Sequence, residues 1–343
     1  MPGDLINATA LAAKVSAMRL ADRAATVVGC GFMGREYIAA LQALGAGQIR
    51  VCSRSPEPLQ ELNGVKTRSG GYRAIDWAPA EGELGIIAVP PPDLIPAAEH
   101  LIELGYQRLL VEKPISFWSD EIESFGALVN ERGVEMCCAY NRTAYPAFYE
   151  LHARAGREGG ITSCTYAFTE LIRPQWTERF PAEELARWGV SNSLHVLSMA
   201  HGLIGMPDQW QGYRADTGAV DWHPGATAFV GAGVSTVGIP FSYHANWGSK
   251  DRWALEAHTR EASYRLCPME GVQRKEHPLG EWDAIELTVA YPEIKIGIAE
   301  MVAVCLGDSS LATVVWDGPA CVELTRFGEA VFGYEGTRSG VCA

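Results

Sequence analysis

Residues 27–37 read VVGCGFMGREY, with Gly29, Gly31 and Gly34 in a G-x-G-x-x-G spacing. The spacing constrains the fold because of its setting. An apolar run, AATVVG (24–29), precedes it, and MGREYIAALQALG (33–45) follows, with Tyr37, Ile38, Leu41 and Leu44 on one side. A strand that turns through glycines into a helix collects backbone N–H groups and the positive helix end at one point, which suits a pyrophosphate. In that geometry Gly29 makes the tight turn, Gly31 admits the phosphate backbone and Gly34 lets helix and strand pack closely. Phe32 and Met33, where the turn enters the helix, and Pro90, closing a later strand, are further candidate cofactor contacts.

From residue 24 to about 140, apolar strands alternate with amphipathic helices: QIRVCS (48–53), ELGIIAVP (83–90), LIPAAEHLIELG (94–105), RLLVE (108–112), DEIESFGALVNERG (120–133) and VEMCCAY (134–140). Nearly continuous apolar strands joined by helices predict right-handed crossovers and a doubly wound, Rossmann-type parallel sheet. After 140 the rhythm changes. A long strand is expected at ITSCTYAFTEL (161–171), a helix at 190–205, and from about 208 to 292 strand patterns dominate. The expected fold is therefore α/β: a dinucleotide-binding domain over 1–140, with an N-terminal helix over 5–22, then a substrate-binding and oligomerisation domain over 141–343. The second domain is α+β, with a large, mostly antiparallel open sheet. A helix at about 294–306 and an irregular tail finish the chain.

Composition narrows the function. In 343 residues, 28 Lys+Arg face 41 Asp+Glu, a formal charge of −13, so nucleic acid is not an expected partner. No apolar run reaches the ~20 residues that span a bilayer, and no membrane association is expected. The nine cysteines (30, 52, 137, 138, 164, 267, 305, 321 and 342) show no C-x-x-C spacing, so no metal site is expected. Their odd number points to a reducing cytoplasm.

The second strand ends VCSRSPE, placing Ser53 and Arg54 where a carboxylate would take the ribose 2′-hydroxyl of NAD. A hydroxyl and a guanidinium bind a 2′-phosphate instead, so NADP(H) is favoured over NAD(H). The stretch LLVEKPIS (109–116) runs an apolar strand directly into Glu112, Lys113 and Pro114. At the C-terminal edge of a parallel sheet, Glu112 and Lys113 lie where ligands bind.

These features together resemble the glucose–fructose oxidoreductase and inositol dehydrogenase family of sugar oxidoreductases, over nearly the whole chain. The resemblance rests on VVGCGFMG, IIAVPPP, E-K-P about 80 residues after the glycines, and the sheet domain that follows. It implies that Lys113 polarises the oxygen of the reacting carbon, that the Lys113–Pro114 bond is cis, and that a helical histidine, here His195 in SNSLHVLS, donates or accepts the proton. The family aspartate four residues before that histidine is replaced by Ser191. GGITSCTYAFTEL, SNSLHV, DWHPGATAFVGAG and YHANWG further resemble a bacterial subgroup associated with surface-polysaccharide and acidic nine-carbon sugar pathways, implying a sugar or nucleotide-sugar substrate.

Read from its own residues, the helix carries an apolar stripe (Val190, Leu194, Leu197, His201, Ile204) and a small polar one (Ser191, His195, Ser198, Gly202). His195 therefore faces a cleft, and His201 reads as a core histidine. Asn141, Arg142, Asn192 and Trp247 are candidate substrate contacts. The rest of FSYHANWGSKDRW (241–253) reads as a subunit interface, giving a homodimer or homotetramer through the second sheet. Two other readings stay open: an enzyme with tightly held NAD(P) that oxidises its sugar transiently for elimination, epimerisation or hydrolysis, and a non-catalytic NADP-sensing or scaffold protein.

Overall fold

The computed structural model describes residues 5–338; Cys342 lies outside them. Six parallel strands form the first sheet: β1 (Ala24–Val28), β2 (Gln48–Ser53), β3 (Lys66–Ser69), β4 (Leu84–Ile87), β5 (Arg108–Val111) and β6 (Glu135–Cys138), in the order β3-β2-β1-β4-β5-β6. Strands β1, β4 and β5 are buried almost end to end because helices cover both faces of the sheet. The order reverses between β1 and β4, which opens a crevice beyond their C-terminal ends. Strand β3, KTRS, is an exposed edge with no apolar pattern, and sequence reasoning gave it no strand.

Helices α1 (Ala8–Ala17), α2 (Phe32–Ala43), α3 (Leu94–Glu103), α4 (Ser119–Glu131) and α5 (Pro146–Arg157) accompany this half. Helix α1 is shorter than the expected 5–22. Asn7 caps its start by accepting from Ala10 N, and after Met18 the backbone turns extended so that Leu20 can pair with Leu44.

The second sheet has eight strands: β7 (Ser163–Ala167), β8 (Pro207–Ala215), β9 (Ala228–Ser235), β10 (Pro240–Asn246), β11 (Ala254–His258), β12 (Ser263–Leu266), β13 (Val272–Lys275) and β14 (Asp283–Ile285), ordered β14-β13-β12-β11-β7-β10-β9-β8. Only the β7–β10 pairing is parallel. Before β8 come two short helices, α6 (Trp176–Arg179) and α7 (Ala182–Ala186), then a π-helical turn, Gly189–Ser193, that runs into α8 (Leu194–Ile204).

The helix expected at about 294–306 is a short one, α9 (Ile298–Val302), continued by a π-helical turn to Gly307, and the tail expected to be irregular is instead a long helix, α10 (Gly318–Phe332). Asp317 caps α10 by accepting from Ala320 N, and Gly333 ends it at φ 78°. Helix α10 packs on α4 and α8, and α9 on α2, so the C-terminal segment lies against both sheets. No helix among the described residues is long and apolar enough to cross a membrane.

Candidate functional site

The glycine turn is built as its spacing requires. Gly29 has φ 104°, and a Cβ there would lie 2.2 Å from Ala88 O; a Cβ on Gly34 would lie 2.1 Å from Gly29 O. A Cβ on Gly31 would meet nothing within 4 Å. That open side belongs to a cavity of about 500 Å³ at the β1–β4 crevice, walled by Gly29, Gly31, Ser53, Arg54, Arg73 and Pro90. The cradle fits a dinucleotide: bare backbone at the turn, a helix N-terminus behind it and arginines at the far end. Ser53 is buried, whereas Arg54 is exposed and ion-paired to Asp93 at 3.2 Å. Arg73, from the turn after β3, is a second arginine here. Sequence reasoning missed it because only tertiary folding brings it beside Arg54. Phe32 is exposed and Met33 half-buried at the start of α2; Lys295 Nζ sits 5.3 Å from the Phe32 ring and donates to Met33 Sδ at 3.3 Å.

At the end of β5, Glu112 is buried and accepts from Tyr37 Oη at 2.7 Å. Burial raises its pKa, opposed by the Tyr37 bond and the Lys113 charge. The carboxylate is thus a support under Lys113, braced by α2. The Lys113–Pro114 bond is cis. Lys113 Nζ donates to the backbone carbonyl of Ser191 at 2.6 Å, in the π-helical turn that leads into His195. Burial lowers the Lys113 pKa, and Glu112 partly restores it. His195 is pushed well below the usual imidazole range, first by burial and then by the charges of Arg142, Lys113 and Lys295. It is neutral at neutral pH, and its buried Nδ1 has no hydrogen-bond partner. Ser191, standing for the family aspartate, does not turn toward His195; its hydroxyl donates to Glu184 at 2.8 Å. His201 bonds Tyr166 Oη and Gly205 O and is a core histidine.

Beyond His195 opens a second cavity of about 710 Å³, walled by Glu170, Trp176, Trp188, Asn192, Trp253 and Glu270 among others. Asn192 reaches it, donating to Glu170 at 2.7 Å; Ser193 donates to the other carboxylate oxygen at 2.6 Å. Burial pushes Glu170 up to about 7 despite these bonds. Arg142 lies 4.6 Å from the Trp253 ring.

Two of the expected substrate contacts, Asn141 and Trp247, are not among the residues that wall the second cavity. Asn141 is buried and donates to Ile296 O at 3.2 Å, so it ties down the segment before α9. Trp247 is fully buried against His223, Phe229 and Phe332 in the aromatic core under the second sheet. Of the two tryptophans in 241–253, Trp253 reaches the cavity, because it stands just before the start of β11 while Trp247 faces the helices. Lys295 and Glu170 carried no motif and emerge only from the fold.

No protein-family model matches the chain. It is 28% identical over 141 residues to a myo-inositol dehydrogenase, Hyg17, of Streptomyces leeuwenhoekii, an alignment that spans 39% of this chain and 42% of that protein. Solved structures match far more of it. A UDP-N-acetylglucosamine 3-dehydrogenase, GnnA, from Acidithiobacillus ferrooxidans superposes with a TM-score of 0.68 at 14% identity, covering 91% of this chain and 97% of that one. An oxidoreductase from Agrobacterium radiobacter, solved with NAD+, L-tartaric acid and magnesium, gives 0.70 at 13% identity, covering 91% and 95%. With its glycine crevice, its cis-proline strand end and its open second sheet, the chain has the fold of the glucose–fructose oxidoreductase and inositol dehydrogenase type of oxidoreductase.

Proposed function

We propose that the chain is an NAD(P)-dependent oxidoreductase acting on a carbon of a sugar or nucleotide sugar, with NADP(H) preferred. The observation that carries this reading is the 2.6 Å bond from Lys113 Nζ to the Ser191 carbonyl, in the π-helical turn that leads into the helix bearing His195. The Lys113 charge acts on the neutral imidazole of His195, whose ring lies 6.1 Å from that of Trp253 in the wall of the second cavity. When bound, the nicotinamide supplies the hydride donor or acceptor. Lys113 holds the oxygen of the reacting carbon and stabilises the charge that grows there. His195, uncharged, takes up the hydroxyl proton in oxidation and returns it in reduction. The tryptophan faces suit the apolar faces of a sugar ring. Two relatives with named substrates, the inositol and UDP-N-acetylglucosamine dehydrogenases, act on polyhydroxylated rings, which supports the substrate class.

The NADP(H) preference is supported by Arg54 and Arg73 at the ribose end of the first cavity, where the usual carboxylate is replaced by Ser53. We further propose that the open face of the second sheet pairs with a second copy.

The direct test is NADPH oxidation across a panel of keto-sugars and keto-nucleotide-sugars, and the reverse reaction on the alcohols. Lys113→Ala is expected to lower kcat by roughly 100-fold or more, with NADPH affinity unchanged. Equal kcat in parent and variant would remove Lys113 from the chemistry.

A further inference from the structure

Among the described residues, Arg142 has no hydrogen-bond or ion-pair partner. It lies in the short 3-10 turn after β6, against the rings of Trp253 and Tyr145 at 4.6 and 5.9 Å. Its Nε is sealed from solvent and unbonded, and among the described residues its guanidinium makes no hydrogen bond or ion pair. Its charge is felt by Lys113, His195 and Lys295, so the deepest part of the cleft gathers three cations around one imidazole. Two carboxylates lie within electrostatic range, Glu170 and Glu270, and neither reaches ion-pair distance. Glu170 is already committed to Asn192 and Ser193.

A guanidinium stays charged at any working pH, and burying it without a counter-ion is costly. The chain is rich in acids, 41 in all, yet none of the described ones reaches ion-pair distance of Arg142. The phosphates of a dinucleotide do not answer the need, because Arg142 is packed behind Trp253, whose ring lines the other cavity. The outer wall of that cavity adds Arg173, Arg179, Lys250 and Arg252, none of them ion-paired among the described residues, alongside the acids Glu170, Asp251 and Glu270.

We propose that Arg142 is the specificity residue of the cleft and that the substrate is a sugar bearing an anionic group, carboxylate or phosphate, near the carbon that reacts. The inference rests on the sugar-oxidoreductase reading and deepens it. The planar fork pairs with two anionic oxygens at once, and its stack on Trp253 fixes the plane in which they must lie.

The test uses the full chain saturated with NADPH or NADP+. Matched probes are uronates and aldonates, sugar phosphates, and the corresponding neutral sugars, read by tryptophan fluorescence for binding and by the nicotinamide absorbance for turnover. The tightest probes are expected to be anionic, at least about 10-fold tighter than their neutral partners. Arg142→Gln should lose roughly 100-fold on those probes and little on neutral ones, with NADPH affinity unchanged. Arg142→Lys, which keeps charge without the fork, should fall between, and it carries the test if the Gln variant does not fold. Preference for uronates or for sugar phosphates assigns the anion. Neutral probes that bind as well as anionic ones, or a preference that survives Arg142→Gln, overturn the inference and leave the oxidoreductase reading standing. Anion-selective binding without hydride transfer to any probe overturns the oxidoreductase reading alone. Failure of every probe to bind overturns both.

Discussion

Glu170 shows how one residue's surroundings set its chemistry. It is buried behind Asn192 and Ser193, and its carboxyl titrates near 7 rather than 4.5. A carboxyl whose pKa is higher in the folded chain holds its proton more tightly there. Its stabilising effect is full below about pH 4.5 and is lost as pH rises toward 7. Denaturation midpoints of the parent should therefore fall between pH 5 and pH 8. In Glu170→Gln the same fall should be smaller, by roughly 2–3 kcal/mol at most. Matching pH dependences in the two proteins would show that the carboxyl is not titrating in this window. Arg54 is the residue-scale test of cofactor choice. Its ion pair with Asp93 is exposed and weak, so a 2′-phosphate can displace the carboxylate. Arg54→Ala should raise the NADPH Kd about 10-fold or more while leaving the NADH Kd nearly unchanged. Equal losses for both cofactors would count against a 2′-phosphate site. Neither Glu170 nor Lys295 was legible in the sequence, since a lone acid after a strand or a lysine in a loop has no spacing to mark it. The positions of Lys113 at the end of a strand and of His195 on a helix were legible because proline, strand and helix patterns framed them.

At the scale of elements, the β1–turn–α2 unit separates two kinds of glycine. Gly34 is required by packing: its missing Cβ leaves room for the Gly29 carbonyl, which would otherwise be 2.1 Å away. Gly31 borders open space, so the fold itself does not need it. Gly34→Ala should destabilise by about 1–3 kcal/mol or prevent folding, because a backbone carbonyl cannot step aside. Gly31→Ala should keep its thermal midpoint and lose dinucleotide affinity. A Gly31→Ala protein that binds NADPH normally would place the pyrophosphate elsewhere. The same scale explains the long helix assigned too little in the sequence. Its signals, Asp317 as cap, Pro319 in the first turn and Gly333 as stop, are all present. Its periodicity is blurred because α10 is buried on several sides, against α4, α8 and β8, so apolar residues occur around most of its circumference. The expected strand at 161–171 was cut to Ser163–Ala167 for the opposite reason: residues 169–171 leave the ladder to wall the second cavity.

At the scale of the whole molecule, the second sheet has one face that no element among the described residues covers. Val230 and Val234 of β9 and Tyr213 of β8 are exposed there, while Phe241 and Tyr243 of β10 point to the helices. Pairing this face with a second copy would bury those side chains. Light scattering is expected to give a dimer or tetramer for the parent and a smaller species for a Val230→Glu, Val234→Glu double variant; a monomeric parent would reject the pairing. The sequence by itself determined the parallel sheet, the glycine turn, the lysine at the end of β5 and the histidine on α8. Each is a local pattern, written in the two- and 3.6-residue periods of strand and helix or in a fixed spacing of glycines and proline. Only the tertiary structure decided which tryptophan lines the cleft, that Ser191 turns to Glu184, and that Arg142 stands without a counter-ion. Those facts depend on segments far apart in the chain meeting at one point, and no local periodicity encodes that meeting.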